Sequence, residues 1–220
     1  MRAHRQLILG LGWLITALLP SIAPASSIAQ DEFQLVLLAT PNLEHGAALF
    51  DTCAACHGPT GAGAHDGSVP AIGGQHFKVI ARQLVDFRHG KRWDERMAHF
   101  ANAHHLRDAQ EIADVAAFAS ALPPAHDADV GPGEFLPQGT QVYVDVCASC
   151  HGRDAEGDSV RAIPRLAGQH YEYLLKQMHD VVQRRRPDYS PEHLVLFGRL
   201  QQAEFIGVAD CLARMGAGPR

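Results

Sequence analysis

The sequence predicts an all-α protein made of two tandem copies of one small helical module. A short stretch occurs twice, as Cys53-Ala-Ala-Cys56-His57-Gly58 and Cys147-Ala-Ser-Cys150-His151-Gly152. A shift of 94 residues, with no gap, also lays Gly63 on Gly157 and Pro70 on Pro164. The same shift lays Gly74-Gln75-His76 on Gly168-Gln169-His170 and Gln83 on Gln177. Between these landmarks apolar residues recur at helical spacing, and no run reads as a strand.

Residues 1–29 read as a secretory signal peptide. Met1-Arg-Ala-His-Arg5 is a basic start, Leu7 to Leu19 is uncharged and apolar, and Ala23-Pro-Ala25 or Ser27-Ile-Ala29 offers a cleavage site. The apolar run is shorter than the roughly 20 residues that a bilayer span needs. The expectation is therefore a cleaved, periplasmic protein with no membrane span after processing.

Asp31 to Thr40 reads as a short lead-in, and the first domain as residues 40–122. Leu43, Ala47 and Phe50 share one helical face in a segment that runs into Cys53. Gln138 to Val146 is its counterpart ahead of Cys147, and Gly46 and Gly139 mark points of close helix contact. The stretches Gly58 to Gly74 and Gly152 to Gly168 are loops rich in Gly and Pro. Amphipathic helices follow at about His76 to Arg88 and His170 to Arg184, the first with Phe77, Ile80, Leu84 and Phe87 as its apolar face. Asp108, with Glu111 three residues on, is a helix start, and Leu122-Pro123-Pro124 is the stop. Residues 123–137 form a Pro/Gly/Asp-rich linker. The second domain covers 138–217 and closes with a helix at about Gln202 to Met215.

Cys-x-x-Cys-His is the attachment signature of a c-type haem. The two thiols become thioethers to the porphyrin, and the histidine becomes the proximal iron ligand. A structural zinc site would need four ligands on one ion, whereas each motif here has its own complete downstream repeat. The expected cofactors are thus two covalent haem c groups, on Cys53 and Cys56 and on Cys147 and Cys150, with His57 and His151 on the irons. Of the five cysteines only Cys211 is left over, which excludes a disulfide framework and suits a buried small residue. The net charge is −5, and loss of residues 1–29 removes Arg2 and Arg5 and no acid, leaving −7. Nucleic acid and anionic membranes are disfavoured as partners, and a basic docking patch is favoured.

With these features the chain resembles the periplasmic dihaem class I cytochromes c of the c4 type, over residues 42–216. The resemblance implies two tandem class I cytochrome c domains, each wrapping one haem. It implies electron transfer between the haems and on to redox proteins such as an oxidase, a reductase or a dehydrogenase. Pro70 and Pro164, thirteen residues past each histidine, match a family proline whose carbonyl accepts the histidine Nδ1–H.

That family supplies a distal methionine, and Met97 falls in its position. The second module has no methionine there; Met178 and Met215 read as packing residues. His193 stands seven residues before Leu200, and the repeat maps it to His99, seven before Leu106. The distal ligands expected are Met97 or His99 for the first iron and His193 for the second. A bis-histidine haem would have the lower potential. No nucleophile–base pair or phosphate loop appears, so an electron carrier is the leading function. A cytochrome subunit of a larger dehydrogenase is the alternative, and a haem enzyme or sensor with an open iron is the third.

Overall fold

The computed structural model describes residues 25–186 and 188–216. Most of the expected export segment therefore lies outside the described residues. The first domain contains α1 (Ala25–Leu38), α2 (Leu43–His57), α3 (Phe77–Arg88), α4 (Glu95–Ala101) and α5 (Ala109–Ala121). The second contains α6 (Leu136–Val142), a π-helical turn at Tyr143–Cys147, α7 (Ala148–His151), α8 (Tyr171–Val182), α9 (Pro191–Phe197) and α10 (Gln202–Met215). Among the described residues the one piece of β pairing is an isolated bridge, Asp158 to Ile163. The chain is all-α.

Asp31 to Thr40 is not a lead-in. Its greater part is the second half of α1, because Ala29, Phe33 and Val36 recur at helical spacing and are buried in the first core. The helix lies against α3 and α5. Arg82 sits over the Phe33 ring at 3.7 Å, and Glu32 pairs with Arg88 and His89. Burying Phe33 and Val36 contributes about 1.5–3 kcal/mol each. The packed body of the first repeat thus reaches back past residue 40.

In each domain the helix carrying the cysteine motif crosses the last helix at a glycine. A Cβ on Gly46 would lie 2.2 Å from the Asp114 carbonyl oxygen, and one on Gly139 1.8 Å from the Gly207 carbonyl carbon. No side chain fits at either crossing. Asp114 is buried beside Gly46 and takes bonds from the Asn42 backbone amide, His45 Nδ1 and Gln110, each at 2.7–2.8 Å.

The two helices nevertheless differ. Seven residues separate Gly46 from Cys53, and eight separate Gly139 from Cys147. The extra residue is taken up as the π-helical turn, which keeps the crossing glycine and the cysteine motif in place at both ends. Tyr143 in this turn is fully buried where the first domain has Phe50. Its hydroxyl donates to the Gly152 carbonyl at 2.6 Å, and burial pushes its pKa up to about 12.

The domains meet about a pseudo-two-fold axis built from the repeated Gly-Gln-His. The Gln75 carboxamide donates to the Arg165 carbonyl at 2.8 Å and accepts from the Arg165 amide at 2.9 Å. Gln169 makes the same pair with Ala71, at 2.8 and 3.0 Å. His76 Nε2 lies 2.7 Å from the Glu156 carbonyl oxygen, and His170 Nε2 lies 2.8 Å from that of Ala62. All four contacts obey the 94-residue shift. The histidines that head α3 and α8 are docking residues.

Candidate haem centres

α2 and α7 each end on the motif histidine, and a glycine with positive φ then turns the chain away: Gly58 at 76° and Gly152 at 82°. His57 and His151 are buried. His57 Nδ1 lies 2.9 Å from the Pro70 carbonyl oxygen, and His151 Nδ1 lies 3.2 Å from that of Pro164. The approach needs a glycine opposite, since a Cβ on Gly63 or Gly157 would come within 2.7 Å of the proline carbonyl. Burial, against the carbonyl bond, pushes both histidine pKa values below the ordinary range. A neutral ring that donates through Nδ1 keeps the Nε2 lone pair for a metal.

The cysteines of each motif stand three residues apart on one helical face. Burial pushes the Cys53 and Cys147 thiols up to about 11. Cys53, Cys56 and Cys150 border one continuous cavity of about 1050 Å3 that both domains line. Its volume lies at the upper end of the roughly 300–1000 Å3 that a ligand pocket spans, and residues of both motifs line it. His57 and Met97 reach it from the first domain, and His151 and His193 from the second. Thiols, a buried neutral imidazole and apolar walls beside each motif fit a covalent haem in each domain.

The distal sides rest on α4 and α9, two helices that the sequence reading left as unassigned chain. Asp94 caps α4 by accepting from the Met97 amide at 3.1 Å. Met97 lines the cavity with Phe100, one turn on. His99, two residues from Met97 and so about 200° round the helix, is exposed. Its ring lies 5.1 Å from Phe100 and 4.6 Å from His105, away from the cavity. Of the two expected candidates, Met97 is therefore the one brought to the first centre.

In the second domain His193 projects from α9 so that its ring centre is 6.1 Å from that of His151, with planes at 75°. Metal–imidazole bonds of about 2.0 Å, with each ring centre about 1.1 Å behind its nitrogen, put two axial imidazoles about 6 Å apart. The observed spacing fits one iron between them. Tyr189 and Phe197 flank the His193 ring at 4.9 and 5.6 Å. Burial, and then the facing His151, push its pKa down. Ser190 Oγ stands 2.9 Å from its Nδ1. The Glu192 carboxyl is held below its usual range by its own backbone amide and then by the Ser190 side chain.

Arg92 and Arg186 also line the cavity, both buried and related by the repeat. Arg92 crosses the domain boundary to donate to Tyr173 Oη at 2.6 Å and Gln177 Oε1 at 3.0 Å. Arg186 donates to the same Gln177 oxygen at 2.7 Å and pairs with Asp188 at 3.3 Å. Such guanidiniums are suited to the haem carboxylates. Their place in the 94-residue repeat was the one signal that could have marked them. Met178 is buried in the second core, as is Cys211, to which Thr140 donates at 3.5 Å.

Fold and centres together define a c-type cytochrome with two haem-binding domains. The cytochrome c family model matches residues 43–122 and 137–195, more than half of the chain, and the chain belongs to that family. Two such domains with their Cys-x-x-Cys-His motifs carry two covalently bound haem c groups. The chain is 32% identical to cytochrome c4 of Azotobacter vinelandii over 58% of its own length and 66% of the relative's, just short of two thirds. It is 30% identical to a thiosulfate dehydrogenase electron acceptor of Stutzerimonas stutzeri, over 74% of this chain and 79% of that one. The crystal structure of cytochrome c4 from Pseudomonas stutzeri has the same fold, with a TM-score of 0.70 at 22% identity, covering 81% of this chain and all of that one. No helix of the described residues is long and apolar enough to cross a membrane.

Proposed function

We propose that this protein is a periplasmic dihaem electron carrier, with His57 and Met97 as axial ligands of the first iron and His151 and His193 of the second. Haem c supplies one-electron exchange between ferric and ferrous iron. The observation that carries the reading is the facing pair His151 and His193 in a cavity shared with His57 and Met97. Met97 and His193 would complete the iron ligands opposite His57 and His151, Pro70 and Pro164 hold the proximal rings, and Arg92 and Arg186 line the same cavity. Irons held in this way would offer no place for substrate. The acidic surface expected after export suits a redox partner with a basic patch. Export fits cleavage after Ala25, because Ala29 is buried in the first core.

Electron paramagnetic resonance of the ferric protein tests the ligand sets. Separate low-spin signals for a histidine–methionine and a bis-histidine haem are expected, and a high-spin signal from either would overturn the assignment. Electron delivery is tested by mixing the reduced protein with a terminal oxidase and following reoxidation, expected within the mixing experiment.

A second reading, the electron-accepting subunit of a sulfur-compound dehydrogenase, is favoured by the thiosulfate dehydrogenase electron acceptor among its relatives. Fast reduction by such a dehydrogenase and its substrate, with stable co-purification, supports that reading. A free monomer reduced equally well by unrelated donors counts against it.

A further inference from the structure

Asp86 of α3 and Asp180 of α8 are equivalent in the 94-residue repeat, and both are buried on the wall of the shared cavity. In each domain the aspartate carbonyl accepts the backbone amide five residues on, Lys91 or Arg185, at 2.8 Å. The two carboxylates are treated differently. Asp180 pairs with Lys176, and with Arg185 at 3.1 Å. The repeat sets Arg82 in the place of Lys176. Arg82 is drawn the other way by α1, a helix with no equivalent in the second domain. Its guanidinium lies 3.7 Å over the Phe33 ring and donates to Gln30 at 2.9 Å. Arg92, in the loop after α3, is engaged by Tyr173 and Gln177 of the second domain. Asp86 thus lacks the ion pair that Asp180 makes with Lys176.

We propose that Asp86 takes up a proton when haem in the shared cavity is reduced, so that this chain carries a proton together with an electron. The inference needs the two haem groups but not the choice of distal ligands. Ferrous haem carries one positive charge less than ferric haem, so reduction withdraws a charge that favours the buried carboxylate. The electron comes from the redox donor, the proton comes from water and binds a carboxylate oxygen, and the net charge of the cavity is unchanged. Burial pushes the Asp86 carboxyl up to about 6; Asp188 of the second domain adds to this, against Arg82, Lys91 and Arg92. The charges on the neighbouring helices are engaged elsewhere. Glu32 on α1 is held by Arg88 and His89, and on α5 Glu111 is held by Arg107 and Asp114 by His45. Arg96 on α4 lies 3.8 Å from Asp94. The carboxyl pKa is higher with the haem reduced than oxidised, so the haem potential falls as pH rises between the two values. Asp180, already paired, is the internal control.

The test uses the intact dihaem protein, with potentiometric titration of each haem across neutral pH and infrared difference spectroscopy of the reduced against the oxidised form. Proton binding up to about tenfold tighter after reduction is expected, a fall of about 59 mV for one electron as pH rises through the window. In the wild type a protonated carboxyl band should grow on reduction and move when aspartate is labelled with carbon-13, which separates it from the haem carboxylates. Asp86→Asn should abolish the labelled band and flatten the pH dependence, whereas Asp180→Asn should keep both. The proposal is overturned if the wild type shows no labelled band, a result that does not depend on any variant folding. It is equally overturned if the pH dependence survives in Asp86→Asn, which assigns the proton to the haem carboxylates, or if Asp180→Asn removes it.

Discussion

The two domains share a proximal half and part company on the distal side. Each has the motif histidine at a helix end, a glycine turn, and a proline carbonyl on Nδ1. Opposite, α4 places Met97 and α9 places His193 on the wall of the shared cavity. Proximal geometry is held by backbone groups close in the chain, so duplication copied it intact. Distal geometry depends on which face a separate short helix turns inward, and there two copies of one module are free to diverge. The consequence is an expected order of potential, since a thioether favours ferrous iron relative to a second imidazole.

The largest effects should come from exchanging the distal ligands. His193→Ala should leave the second haem high-spin and able to bind carbon monoxide, with the first unchanged. Met97→Ala should do the reverse, and His99→Ala should do neither. Met97→His should lower the first haem's potential toward that of the second, read by potentiometric titration. A His99→Ala protein with an altered first haem would break the comparison.

Next come the helix crossings. Gly139→Ala and Gly46→Ala should each destabilise by about 3 kcal/mol through overpacking, seen as a lowered thermal midpoint. Gly139→Ala is expected to be the worse, because Gly207 opposes it with backbone alone.

The docking pair provides a symmetry test. Gln75→Ala and Gln169→Ala each remove one donor and one acceptor from the other domain, and each should cost about 1–2 kcal/mol in chemical denaturation. Unequal losses would show that the pseudo-two-fold contact is not shared evenly.

The smallest expected effect concerns Asp114, buried at the first helix crossing. Burial raises its carboxyl, but the bonds from Asn42, His45 and Gln110 outweigh this and hold it below the ordinary carboxylate range. A depressed folded pKa stabilises above the unfolded value of about 4 and is lost as pH falls through the folded one. Thermal midpoints between pH 5 and pH 2 should therefore fall less steeply in Asp114→Asn than in the wild type.

Much of this was legible along the chain. The boundaries of α3, α5 and α10 follow from apolar spacing and capping residues such as Asp108, whose side chain accepts from the Glu111 amide at 3.0 Å. α1 was missed because its apolar face, Ala29, Phe33 and Val36, straddles the end of the segment set apart as export signal. The choice between Met97 and His99 stayed open because α4 is only seven residues long and too short to announce its face. Gln75 and Gln169 were visible as repeats, but nothing local says that a carboxamide will pair with backbone about 90 residues away.

By itself the sequence determined the covalent chemistry and the duplication. Cysteine, histidine and proline at fixed short spacings act through bonds that span a turn or a loop, and those spacings survive in any packing. Only the tertiary structure decided that one cavity serves both centres, that Met97 and not His99 faces it, and that His193 stands opposite His151. It also absorbed the one-residue difference between the motif helices in the turn at Tyr143. Those outcomes depend on how helices far apart in sequence rotate and pack, and packing is settled by the whole molecule.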